Sequence, residues 1–319
     1  MSNEQTFLMK PKVDFCFKEL MEDAQIRRDF ISALLGVAPE EIEHTELLPT
    51  HLRREYPEDK LGILDIRVFI CDRTGTDKDF ADGASQMDLE IQLSPFPLWP
   101  ERSVFYLAKM FTGEIHEGQS YKVLKKCIHV GILDFVLFEE DEEFYSRFHL
   151  WEDHRHRMYM DKLEIHILEL PKLKEREYPQ TELLNWVRFF NAEQKEEFEM
   201  AAETSPQVER AYERLVNISA DEEKRLEYEA REKAIRDYNY LMDYNLKKGL
   251  EAGMEKGIKE GRIEGMEEGL EQGAKALIEM CQEDSYSREE TSSRLVHRLS
   301  VSRERAEEYL KKYWLFEKE

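Results

Sequence analysis

The chain has 319 residues, 41% of them hydrophobic and 36% charged, with a formal net charge of -23. That apolar fraction excludes wholesale disorder, the length suits one large domain or a domain with an appendage, and no apolar run approaches the about 20 residues of a membrane span. With 22 basic against 35 acidic residues to about residue 175, and 24 against 34 beyond it, neither half is a basic nucleic-acid module.

The opening MSNEQTFLMKPK has no apolar h-region, so no secretory signal is expected. Val13, Phe17, Leu20 and Met21 recur at helical spacing, and 26-IRRDFISALLGV-37 reads as a second helix ending near Gly36. Strand patterns follow at 61-LGILDIRVFIC-71, 86-QMDLEIQL-93, 128-IHVGILDFVLF-138 and 163-LEIHILEL-170. Between the second and third, 101-ERSVFYLAKMF-111 is apolar at helical spacing. The acidic 139-EEDEE-143 reads as a solvated turn joining two antiparallel strands. Strands and helices interleave without a strict βαβ rhythm, which predicts a mixed α/β or α+β fold.

From about residue 180 the strand signals vanish. The segments 182-ELLNWVRFFNA-192 and 207-QVERAYERLVNI-218 read as amphipathic helices, and the last 40 residues read as helical again. Before them stand seven glycines four apart, from Gly249 to Gly273, beside an apolar stripe of Leu250, Met254, Ile258, Met266 and Leu270. Charged residues between them exclude a bilayer helix. A four-residue period drifts about 40° per step on a straight helix, so a partner following the stripe would wind right-handedly. Interior glycines cost about 1 kcal/mol each relative to alanine, so close packing must offset the total or the segment frays. Both a self-associating helix and a mobile charged connector fit this pattern.

The strand 86-QMDLEIQL-93 alternates strictly: Met87, Leu89, Ile91 and Leu93 point one way, and Asp88, Glu90 and Gln92 the other. In 63-ILDIRVFI-70 the apolar face holds Leu64, Ile66, Val68 and Ile70, and Asp65 and Arg67 share the other with Ile63 and Phe69. If the two strands pair as a hairpin, Asp65 approaches Glu90. On spacing alone the polar stripe reads first as the solvated face of a half-exposed sheet. The alternative is a cation site, because two close carboxylates repel unless a cation lies between them, and such oxygen donors suit Mg²⁺ or Mn²⁺. With so acidic a chain, any site acting on phosphates needs bound cations to invert the local field.

The ordered blocks 13-VDFCFKELM-21, 63-ILDIRV-68, 88-DLEIQL-93, 102-RSVFYLAKM-110, 121-YKVLKKCIHVGILDF-135 and 163-LEIHILELPK-172 resemble the recombination-promoting nuclease, or transposase, family of the PD-(D/E)XK nuclease superfamily. The resemblance covers roughly residues 9 to 175. It implies a PD-(D/E)XK restriction-endonuclease-like core, with a central mixed sheet flanked by helices, and Mg²⁺-dependent (or Mn²⁺-dependent) cleavage of DNA phosphodiesters. The same resemblance places Asp65 at the metal-bridging aspartate and Glu90 at the acidic position of the (D/E)XK element. Gln92 stands at the lysine of that element, a departure from the superfamily that the family itself commonly shows. Asp65, Glu90 and Gln92 then form the catalytic set, and Asp65, Glu90, the Ile91 backbone carbonyl and additionally Asp14 the metal contacts.

Gln92 can orient a water by hydrogen bonding but carries no charge, so positive charge must come from the metal or a nearby side chain. Lys18, Arg102, Tyr106 and Lys109 are the weaker, phosphate-facing candidates. Each has a simpler reading, since Asp14 and Lys18 are spaced for a surface ion pair and the helix positions suit ordinary packing. His149, His154 and His156 lack HExxH spacing, and their segment reads as a polar loop between strands. His129 and His166 read as satisfied structural histidines within strands, and neither GxSxG nor a Walker A motif occurs. Four cysteines, Cys16, Cys71, Cys127 and Cys281, lie far apart with no CxxC, which fits a reducing cytoplasm better than a disulfide scaffold or zinc finger.

The expected organisation is a nuclease-like domain at 1–175, a helical extension at 176–245, a glycine-ladder helix or connector at 246–275 and a helical segment at 276–319. The expected function is a cytoplasmic, metal-dependent DNA endonuclease linked to recombination, transposition or phage defence, with self-association through the helical C-terminal region. The acidic surface and Gln92 also suit a second reading, a nuclease-like fold that binds DNA or protein without cleaving.

Overall fold

A computed structural model of the chain describes residues 7–52, 64–72, 84–113, 115–174 and 176–314. Helix α1 (Asp14–Glu22) buries Cys16, Phe17, Leu20 and Met21 on one face. The Asp23 carboxylate caps α2 (Ala24–Leu35), accepting hydrogen bonds from the amides of Gln25 at 2.9 Å and Ile26 at 3.1 Å. Gly36 ends α2 in the left-handed region at φ 70°, as its glycine predicts.

Six strands are seen among the described residues: β1 (Ile42–Leu48), β2 (Ile66–Asp72), β3 (Ala84–Gln92), β4 (Lys126–Leu133), β5 (Tyr145–Trp151) and β6 (Met158–Glu169). They form one mixed sheet in the order β1-β2-β3-β4-β6-β5. The β3–β4 and β4–β6 pairs are parallel and the others antiparallel. Helices α1, α2, α4 (Glu182–Asn191), α5 (Lys195–Glu203) and α6 (Pro206–Ala220) share one core with the apolar face of β2–β4. Phe17, Phe30, Trp186 and Phe190 meet there at ring distances of 5.0 to 5.7 Å. Helix α3 (Trp99–Thr112) packs on the side chains of opposite parity, including Cys127, Leu133, Leu163 and Ile167. The mixed α/β architecture expected from the sequence is present.

Several local expectations need correction. Residues 61–63, including Ile63, lie outside the described residues, and β2 starts only at Ile66. The apolar run 128–138 is not one strand, because β4 ends at Leu133. Strand β1 escaped the pattern reading because only Ile42 and Thr45 of its residues are buried. It is tied to the helices instead by buried Arg27, which donates to the carbonyl oxygens of Met21 (2.6 Å) and Thr45 (3.1 Å). The acidic residues 139–143 are exposed, but they do not join neighbouring strands, since β6 lies between β4 and β5. The expected polar loop around His149 begins as β5 and turns only after Trp151.

By compactness the chain forms two units, Met1–Ile235 and Arg236–Glu319. Helix α7 runs from Glu222 to Glu283 as one element, and its end packs with α8 (Arg288–Leu299) and α9 (Arg303–Tyr313). Ala274, Ile278, Leu295, Ala306, Tyr309 and Leu310 form that second core. Between Gly249 and Gly269 a Cβ on any ladder glycine would meet no atom within 4 Å, and Leu250, Met254, Ile258 and Met266 are exposed. No helix among the described residues is long and apolar enough to cross a membrane, and none of the four cysteines forms a disulfide.

On β6, Glu164 is only 1% exposed and is surrounded by cationic or potentially cationic nitrogens. It accepts from Arg147 Nη2, His149 Nε2 and His166 Nε2 at 2.9 Å each, and from Lys126. Burial alone would raise its pKa, but the hydrogen bonds from His166, Arg147 and Lys126 hold it far below the usual carboxylate range. A depressed folded-state pKa stabilises the protein above the unfolded value of about 4.3, and that contribution is lost as pH falls from there through the lower folded-state value. Glu164→Gln should therefore cost about 2 kcal/mol at pH 7, reading as a lower Tm. The gap in Tm from the wild type should close progressively below about pH 4, and a gap constant from pH 7 to 3 would refute this assignment.

Candidate metal centre

The α3-facing side of β3 carries Gln86, Asp88 and Glu90, and all three are buried. The solvated sheet face expected from alternation is absent, because α3 lies across it. Asp88 is 0% exposed and Glu90 2%. The antiparallel β2–β3 register sets Arg67 opposite Asp88 and Ile66 opposite Leu89. Continued by one residue, it sets Asp65, immediately before β2, opposite Glu90. The parallel β3–β4 register sets His129 beside Asp88 and Gly131 beside Glu90.

Each acid has a cation or imidazole against it. Lys18 Nζ lies 3.1 Å from Asp65 Oδ1 and 3.7 Å from Asp14 Oδ2, so one α1 lysine bridges both. Arg231 Nε approaches Asp14 from α7 at 3.9 Å. Arg102 pairs with Glu90 Oε1 through Nη2, and its guanidinium lies 5.4 to 5.9 Å from the ring centres of Phe96, Trp99 and Tyr106. Asp88 Oδ2 is 2.7 Å from His129 Nδ1. Gln92, at the end of β3, donates from Nε2 to the Ser94 carbonyl oxygen at 3.1 Å. Ile91 turns its side chain into the opposite core, Tyr106 is buried and Lys109 lies over the Phe105 ring at 5.5 Å.

Burial, reinforced by the nearby Asp88, pushes the Glu90 carboxyl up to about 7 against the lowering pull of Arg102 and His129. Asp65 adds a smaller upward push on Glu90, which places the two carboxylates within electrostatic reach. Burial also raises Asp88, opposed mainly by its hydrogen bond with His129. Glu90 Oε2 is buried with no hydrogen-bond partner. An orphaned oxygen on a buried carboxylate, with Asp65 facing it in register, is a donor set that a hard divalent cation fits.

Asp14, Lys18, Asp65, Glu90 and Arg102, all expected at the site, are linked by ion pairs and by the electrostatic push of Asp65 on Glu90. The expected set leaves out Asp88, although alternation puts it on the face of Glu90, and His129, which the structure sets against Asp88. His166 is satisfied on both nitrogens, by Tyr145 Oη and Glu164 at 2.9 Å each, but His129 Nε2 has no partner. Pairing Asp88 with His129 required the parallel β3–β4 register, which no local pattern reveals. Gly131 was equally silent: a Cβ there would meet Trp99 Cζ2 at 2.6 Å, so glycine is what admits the indole over Glu90's neighbour strand.

Compared with protein-family models, residues 11–245 match the one described as PD-(D/E)XK nuclease family transposase. The chain belongs to that family. Its match extends past the sheet through helices α4–α6, which share the sheet's core. Neither the curated proteins nor the solved structures contain a match. Family membership makes this PD-(D/E)XK chain nuclease-like and implies a DNA substrate; the roles of individual residues rest on the geometry above.

Gly131→Ala should displace the Trp99 ring and cost about 1–3 kcal/mol, seen as a lower Tm and altered tryptophan fluorescence. Trp99→Phe in the same background should recover part of the loss. A Gly131→Ala protein as stable as wild type would mean that the indole is not held against β4.

Proposed function

We propose that the chain is a divalent-metal-dependent DNA endonuclease that uses Asp65 and Glu90 to hold Mg²⁺ or Mn²⁺, with the Ile91 carbonyl and Asp14 completing the contacts. The observation that carries this reading is Glu90: buried, one oxygen orphaned, its pKa near 7 and Asp65 opposite it in register. A divalent ion bound there supplies a polarised phosphate oxygen and a water acidified for attack. Gln92 orients that water through its amide. Lys18 and Arg102, already among the acids, would face a bound phosphate and supply the charge that the superfamily lysine would give. Tyr106 and Lys109 extend the phosphate-facing side of α3. The biological setting that fits is DNA breakage in recombination, transposition or phage defence. A cytoplasmic location is in keeping with four cysteines that form no disulfide.

In this reading residues 1–175 form the nuclease-like domain and 176–245 a helical extension that completes its core. The glycine-ladder segment 246–275 and the helical segment 276–319 then serve assembly. Two copies pair antiparallel through α7, in a homo-oligomer, for a reason of charge. From 247 to 262 the helix carries five basic and three acidic residues, and from 263 to 273 four glutamates and no base. Antiparallel pairing about a point near Lys259 sets Lys247 and Lys248 of one copy beside the glutamates of the other, and buries the Leu250–Met266 stripe against open glycines.

Plasmid nicking in Mg²⁺ or Mn²⁺ tests the first proposal: Asp65→Ala and Glu90→Ala should each lose about 100-fold or more relative to wild type. Equal activity in all three proteins removes this site, and none in any favours a silent nuclease-like module that binds DNA or protein. For assembly, the full chain should sediment as a dimer that Met254→Glu with Ile258→Glu dissociates and high salt weakens. A wild-type monomer, or a dimer indifferent to both changes, clears α7 of the role.

A further inference from the structure

Beneath α3, three side chains on adjacent strands each bury one polar atom without a partner: Asp88 Oδ1, Glu90 Oε2 and His129 Nε2. None of the three residues is more than 2% exposed. One donor atom from each lies within 4.8 Å of those from the other two, the one such trio among the described residues. Leaving a buried polar atom unpaired is costly, so the two orphaned carboxylate oxygens, Asp88 Oδ1 and Glu90 Oε2, mark a ligand rather than an accident of packing. Two carboxylates call for a cation. His129 Nδ1 already lies 2.7 Å from Asp88 Oδ2, so an ion taken up between the carboxylates would meet that nitrogen in place of the proton the two now share.

We propose that Asp88, Glu90 and His129 form a second cation position, inboard of Asp65, that prefers Mn²⁺ to Mg²⁺. The preference follows from the imidazole, because nitrogen donors suit first-row transition ions and Mg²⁺ keeps to oxygen. The position shares Glu90 with the Asp65 pair and rests on the endonuclease reading only in that sharing. Trp99 closes the site on the α3 side, its ring 5.9 Å from that of His129. Arg102, with its side chain 30% exposed, is the residue at the opening toward Glu90. Glu90 then bridges two ions, one held by oxygen donors alone and one with a nitrogen.

Mn²⁺ titration of the full chain, read by calorimetry and by pulsed electron paramagnetic resonance, tests this without any measurement of cleavage. Wild type should bind two Mn²⁺, one showing coupling to an imidazole ¹⁴N, with Mg²⁺ competing at that position at least about tenfold more weakly. His129→Gln should abolish the nitrogen coupling and one equivalent of binding, and Asp88→Asn should weaken the same equivalent. Asp65→Asn should lose the other and keep the coupling. Bound Mn²⁺ in wild type with no nitrogen coupling overturns the proposal, even if both variants fail to fold. A coupling that survives His129→Gln overturns it too. An ion lost in Asp65→Asn but untouched by His129→Gln sinks this position and spares the endonuclease reading; the reverse result does the opposite.

Discussion

The structure turns on keeping two carboxylates, Asp88 and Glu90, under a helix in the middle of a sheet. Ionised acids are costly to bury unless matched, and the match here comes from three directions. His129 answers Asp88 from β4, Arg102 answers Glu90 from α3, and Lys18 holds Asp65 and Asp14 from α1. Remove the helix and the stripe becomes an ordinary wet sheet face; remove the cations and the helix cannot settle on it. Gly131 is part of the same bargain, since only a missing side chain on β4 lets Trp99 lie close enough to shut out water.

The same solution recurs elsewhere in the sheet. Glu164 on β6 is buried under Lys126, Arg147, His149 and His166. At the end of that strand Glu169 accepts from the amides of Leu137 and Phe138 and pairs with buried Lys172 at 3.0 Å. Lys172 also reaches Asp141 at 3.2 Å, which tethers the acidic 139–143 segment to the sheet. So the strands are held by buried charge on several sides and by aromatic packing of α2 and α4 on the opposite face. An acidic chain thus sets a small number of its basic residues against its buried acids.

Much of this was legible without coordinates. The 3.6-residue periods of α1, α2, α3, α4 and α6, and the two-residue alternation of β3, are strong because each buries one apolar face. Asp65 and Glu90 were legible for the same reason: alternation fixes which face a residue takes, and the β2–β3 hairpin is local in sequence. What failed was non-local or unpatterned. Strand β1 buries too little to show a pattern, α5 is short and largely polar, and the parallel β3–β4 pairing joins residues 88 and 129 across an intervening helix. Alternation also says which side chains share a face but not what covers it, so the stripe looked wet when it is dry.

Lys18 and Arg102 have one more effect. Because these two side chains already neutralise the acids, the metal uptake proposed above would be an exchange of positive charge rather than an addition. The displaced ammonium and guanidinium need new anions, and the oxygens of a nucleic-acid backbone are suitable ones. Ion uptake and polynucleotide docking should therefore strengthen each other by the same factor, as reciprocal linkage requires. On that proposal the chain would stay guarded in the absence of its polymer and become receptive to metal when the polymer arrives.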